Sequence, residues 1–85
     1  MKIISAAILY KGAVFSEPPP SRHHNIIAVI RRACLLSVPV SGEVQGFLTD
    51  EGAFVDRVKA GKIAIAAGQL AELSEPPDLY SEDLW

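Results

Sequence analysis

Residues 46–68 read GFLTDEGAFVDRVKAGKIAIAAG, and the punctuation of this stretch decides the fold. Phe47-Leu48-Thr49 and Ala53-Phe54-Val55 are short apolar runs on either side of Asp50-Glu51-Gly52, a turn composition. A β-hairpin over 46–55 follows. Asp56 suits a helix N-cap, since its carboxylate accepts from the free N–H groups of a first turn. The segment RVKAGKIAIAAG then predicts a helix over 56–68, with Gly68 as its stop. Ala60, Ile63, Ala64 and Ala67 share one face of that helix, while Ile65 and Ala66 fall off it. A helix apolar on more than one side predicts packing against two neighbours.

Upstream, residues 3–9 and 13–16 (IISAAIL and AVFS) flank Tyr10-Lys11-Gly12 and predict a first hairpin over 1–17. The run MKIISAAIL has a weak likeness to a signal peptide, but Tyr10-Lys11-Gly12 offers no small-x-small cleavage site, and strand is the better reading. Pro18-Pro19-Pro20 ends the hairpin, because proline cannot donate to a strand ladder. Ser21 then stands where an N-cap belongs, and Ile26, Val29, Ile30 and Ala33, widened by Ile27, Cys34 and Leu35, trace the apolar face of a helix over 21–37. Arg31 and Arg32 fall in its second half, where cations suit the helix dipole. VPVSGEVQG, residues 38–46, reads as a loop. The tail over 69–85 is broken by Pro76-Pro77, and its Leu79, Tyr80, Leu84 and Trp85 predict docking on this chain or on a neighbouring copy. The fold class is α+β: a small single domain of two antiparallel β-hairpins, two main helices and a docked C-terminal tail.

At 85 residues the chain has room for one core. Hydrophobic residues make up 49%, and the mean hydropathy is +0.25. Small domains have much surface for their volume, so part of this apolar material stays outside and association covers it. A homo-oligomer is the expectation. The net charge of -2 and the pI near 5.5 carry no basic stripe, so no long nucleic acid is an expected partner. Local cations at 22–24, 31–32 and 57–62 suit one compact anion. No run approaches a membrane span, and the lone Cys34 excludes a disulfide framework, in keeping with a reducing cytoplasm.

Both histidines, His23 and His24, are adjacent, so on a helix they point about 100° apart. Metal ligands would need i,i+4 spacing or further partners, and only Cys34 and carboxylates are on offer, so no metal is expected. Two uses of the segment stay open. One is a plain helix first turn whose polar residues satisfy free N–H groups; the other is a phosphate site made by those groups, the dipole and Arg22. Phe54-Val55-Asp56-Arg57 has the same logic at the second helix, with Lys59 beside Arg57. There a ring and a guanidinium plane suit a purine. Against this, Phe47 and Phe54 fit a core equally well, and Arg57 has Asp50 and Asp56 as candidate partners. No triad spacing and no Walker-type loop occurs. Cys34 on an apolar helix face reads as an inert thiol, and Glu82 with Asp83 is a weak acid/base pair. The chemistry points to binding, with no enzyme activity and no cofactor.

The ordered patterns PPPxRHHxII, GFxTxxGxFVxRxxA, IAxxAGQ and SEDLW, carried by AILYKGAVFSEPPPSRHHNII, GEVQGFLTDEGAFVDRVKAGKIAIAAGQ and LYSEDLW, span nearly the whole chain. Together they resemble small phage-encoded proteins of the Thoeris anti-defence 1 family. The resemblance implies an immune-evasion sponge in the cytoplasm of an infected bacterial host, one that holds a cyclic ADP-ribose isomer without degrading it. It also implies sites at subunit interfaces of a dimer or hexamer and, in some members, capture of a cyclic oligonucleotide at a separate pocket. On this reading Arg22 and Arg57 meet phosphates, with His23 or His24 as donors and Lys59 nearby. Phe54, or else Phe47, stacks on adenine, and Glu82 and Asp83 accept ribose hydroxyls. Ala53 and Val58 depart from the pattern, standing where a polar or charged residue is expected. A different class of function, an adaptor or inhibitor that binds another protein through exposed apolar surface and the tail, is the alternative.

Overall fold

The computed structural model describes residues 1–33 and 43–85. Cys34, the end of the helix expected over 21–37 and most of the 38–46 loop lie outside the described residues. Strands β1 (Ile3–Tyr10), β2 (Ala13–Glu17), β3 (Val44–Thr49) and β4 (Phe54–Asp56) alternate with helices α1 (His23–Ala33) and α2 (Arg57–Ala66) in the order β1-β2-α1-β3-β4-α2. The two hairpins join into one antiparallel sheet of order β2-β1-β3-β4. The fold is therefore a small α+β single domain.

Local chemistry explains each turn. Tyr10 pairs with Ala13, and the two residues between them, Lys11 and Gly12, both have positive φ, 49° and 79°. That is the turn geometry whose twist matches the strands it joins. At the second hairpin, the Thr49 hydroxyl accepts from the N–H groups of Glu51 and Ala53 at 3.3 and 3.2 Å. β3 begins at Val44, earlier than the Phe47 start expected, because Val44 and Gln45 pair with Leu9 and Ile8 of β1. A strand that sequence reads as loop is thus recruited by a partner distant in the chain.

Strand alternation gives the sheet two unlike faces. Ala6, Ile8, Tyr10, Phe47 and Val55 turn inward against Ile26 and Ile30 of α1 and Ala60 and Ala64 of α2. Alanines on both sides of the contact bring α2 close to the sheet. The buried stripe of α2 is Ala60, Gly61 and Ala64. Ala67, expected on that stripe, is exposed, and so is Ala33 on α1. On α2 the covered face includes Gly61, against which Leu73 of the tail lies. The other sheet face carries Val14, Leu9, Val44, Leu48 and Phe54 by register. No helix of the described residues covers it, and Val14 and Val44 are 47% and 46% exposed.

The tail docks on its own chain. Leu79 is fully buried, and its N–H donates to the Arg57 carbonyl at 3.0 Å. A short 3-10 turn, Ser81–Asp83, follows. The Trp85 indole N–H then donates to the Ser21 carbonyl at 3.1 Å, and its ring meets Phe47 edge-on with centroids 6.4 Å apart.

Candidate functional site

A cleft of about 250 Å³ opens where four pieces of the chain meet. They are the start of α1 (Arg22, His23, His24, Ile27), Gln45 of β3, Arg57 of α2, and Tyr80, Ser81 and Glu82 of the tail.

The α1 end is built without the Ser21 cap. Asn25, in the first turn, accepts from the Arg22 N–H at 2.8 Å through its side-chain oxygen. The Arg22 carbonyl in turn takes the N–H groups of Asn25 and Ile26. This is the reciprocal half of a capping box, made with an amide. Arg22 is thereby placed at the positive end of the helix dipole, with no acid in the first turn. At the second helix Asp56 caps α2, accepting from the Lys59 N–H at 2.8 Å, and Arg57 follows immediately.

Both guanidinium groups are held by the protein itself. Arg57 donates to the Leu79 carbonyl at 2.8 Å and to Gln45 Oε1 at 2.5 Å, and its Cζ lies 4.6 Å from the Tyr80 ring centroid. Its expected partners, Asp50 and Asp56, are committed elsewhere: Asp50 accepts from the Lys2 N–H and Asp56 is the cap. Arg22 donates to Ser81 Oγ at 3.3 Å and to the Trp85 carbonyl, and pairs with Glu82 at 3.3 Å. A guanidinium has five N–H donors, so each arginine keeps some for an incoming group. Fixed planes of this kind suit bidentate recognition of an oxyanion.

His23 forms the floor. It is buried, its Nε2 lies 2.8 Å from the Gly46 carbonyl, and its ring meets Phe47 edge-on at 5.1 Å. A carbonyl only accepts, so the Nε2 carries the proton. Burial, the main cause, pushes the His23 pKa below its ordinary value; the Gly46 carbonyl opposes this, Arg57 adds to it, and Glu82 opposes it. Near neutral pH the ring is uncharged, and its Nδ1 is left as an acceptor. Gly46 matters for this contact. A Cβ there would lie on the Val55 carbonyl oxygen and 2.7 Å from Phe54 Cζ, so only glycine lets β3 carry its carbonyl to His23 while the Phe54 ring crosses behind it.

Of the residues expected at the site, the structure brings Arg22, His23, His24, Arg57 and Glu82 together and leaves four outside the cleft lining. Phe47 is fully buried in the core. Phe54 lies across Gly46 on the sheet face opposite the helices. Lys59 is on an exposed turn of α2. Asp83 folds back to accept from Ser74 and Tyr80 N–H groups at 3.4 and 3.0 Å. Partial burial pushes the Asp83 pKa up, but those hydrogen bonds outweigh it and hold it below the ordinary value. Neither phenylalanine lines the cleft, where the aromatic side chain beside Arg57 is Tyr80. Gln45, Tyr80 and Ser81 were hidden in segments that sequence reads as loop and tail. Tyr80 beside SEDLW, whose first residue is Ser81, was the one available signal. Among the described residues, no group of three His, Cys, Asp or Glu is placed to hold a metal ion.

Fold and cleft together define a small α+β protein with two arginines converging on one polar recess. The family is more specific: residues 2–85 match the model described as phage T4 y16D protein, and the chain belongs to that phage protein family. No curated protein matches the chain, and no solved structure does. No helix among the described residues is long and apolar enough to cross a membrane.

Proposed function

We propose that the cleft binds the phosphates of a cyclic ADP-ribose-type immune signal, and that this phage protein sequesters the signal without degrading it. The observation that supports this reading is the convergence of Arg22 and Arg57. They come from two helix starts 35 positions apart by their numbers and line one recess with the α1 N-terminus. Two fixed forks and a helix dipole are what a pyrophosphate needs. The motif order across the chain supplies the ligand class. Tyr80, already stacked on Arg57, offers the ring nearest to an adenine, and Glu82 is an acceptor for ribose hydroxyls. Among the described residues of the recess no hydrogen bond joins a hydroxyl to a histidine: His23 Nε2 donates to the Gly46 carbonyl, and the Ser81 hydroxyl accepts from Arg22. Binding without turnover is the consistent outcome.

At about 250 Å³ the recess is slightly smaller than the roughly 300–1,000 Å³ usual for small-molecule pockets. A second copy of the chain completes it on our reading, and the apolar outer sheet face around Val14, Leu9, Val44 and Leu48 favours such an assembly. A separate pocket for a cyclic oligonucleotide belongs to the same assembly and rests on the motif resemblance alone. The same exposed face favours the second reading, an adaptor or inhibitor that docks on another protein. Incubating the protein with cyclic ADP-ribose, washing, and heating to release bound material distinguishes the two. Intact ligand in the released fraction supports sequestration, a cleaved product means an enzyme, and no retained ligand leaves protein binding as the better account.

A further inference from the structure

We infer that Glu82 is a built-in counter-anion that decides which phosphates the cleft accepts. It turns away bare anions and admits a phosphate that arrives with hydroxyl donors attached. The inference rests on reading the cleft as a phosphate site.

Arg22 is also held without Glu82, through Ser81 Oγ at 3.3 Å. The ion pair is therefore not needed to place the guanidinium. Glu82 is the looser partner, its side chain 67% exposed against 30% for Arg22. Such an exposed pair contributes little to stability. It does occupy one edge of Arg22 with a negative charge, and it lines the same recess as Arg57 and His24. A simple oxyanion that reaches the remaining donors of Arg22 must sit beside this carboxylate. Like charges in contact are unfavourable, and the cost grows as the recess loses water. A carboxylate has only acceptor sites. What satisfies it is a ligand that carries O–H donors close to its phosphates, as a ribose does. Rejection of wrong ligands by a repulsive group is an ordinary route to specificity.

The test is calorimetric titration of the full chain and of Glu82→Gln, with inorganic pyrophosphate and separately with cyclic ADP-ribose. Glu82→Gln is expected to bind pyrophosphate about tenfold more tightly and cyclic ADP-ribose no more tightly. Glu82→Ala is expected to show the same gain, since charge and not the new amide is the cause. Equal pyrophosphate affinity in parent and variants overturns the inference. An equal gain for both ligands does the same, and so does a gain confined to Glu82→Gln. If no protein binds pyrophosphate while all bind cyclic ADP-ribose, the inference fails and the reading of the cleft stands. Binding of neither ligand by any of them overturns both.

Discussion

Arg57→Lys keeps the charge at the start of α2 and removes the fork, which makes it a sharper perturbation than truncation. The arginine makes two hydrogen bonds in different directions, to the Leu79 carbonyl and to Gln45 Oε1, and lays its plane on Tyr80. A lysine ammonium can keep one of these bonds but has no plane to stack. One charge-assisted hydrogen bond in a half-exposed setting is worth about 1–1.5 kcal/mol, below the range for buried charged groups because water screens it. At roughly 4–8 °C per kcal/mol for a domain of this size, the melting temperature should fall by about 4–12 °C. Ligand affinity should fall further, by about tenfold, since one fork on the phosphates is gone. Differential scanning calorimetry gives the first number, and titration with cyclic ADP-ribose well below the variant's melting temperature gives the second. An Arg57→Lys protein with the parent's melting temperature and affinity would refute the claim that a bidentate guanidinium organises the cleft.

Gly46→Ala drives a methyl into the Val55 carbonyl and the Phe54 ring. A loss of about 2–4 kcal/mol in urea denaturation is expected, the size reserved for overpacked or strained sites. For His23, the folded pKa lies below the unfolded one, so the neutral form is the folded form. The stability tied to it is present above the unfolded value near 6.5 and drains away as pH falls toward the folded value. Melting temperatures at pH 7.5 and 5 should therefore diverge in the parent, and the gap should shrink in His23→Gln. Asp83→Ala removes the acceptor of the Ser74 and Tyr80 N–H groups. It should cost about 1 kcal/mol, as loss of a cap does. Intrinsic tryptophan fluorescence should then report a more exposed Trp85.

The elements of this fold were legible where the signal is local. Lys11-Gly12 and Asp50-Glu51-Gly52 mark turns by composition, Asp56 marks a cap, and the 26/30 spacing marks an amphipathic helix. What was not legible depends on pairing across the chain. Val44-Gln45 becomes strand because β1 offers a free edge, and nothing within VPVSGEVQG announces it. The site divides the same way. Arg22 and Arg57 stand out because cations at helix starts have a local meaning. Tyr80 and Ser81 join them only because Leu79 is buried and delivers the tail to that place. Phe54 is ambiguous in sequence for a related reason: at a strand end its spacing fits a ligand platform as well as it fits the cover over Gly46, and the register of β3 and β4 is what places it against Gly46.

Arginine side-chain N–H resonances followed during titration with cyclic ADP-ribose test the central claim most directly. The chain has four arginines, Arg22, Arg31, Arg32 and Arg57, and the latter half of α1 puts Arg31 and Arg32 on exposed positions away from the cleft lining. Arg22 and Arg57 should shift together with one saturation curve while Arg31 and Arg32 stay in place. Bound ligand with Arg22 and Arg57 unmoved would contradict it.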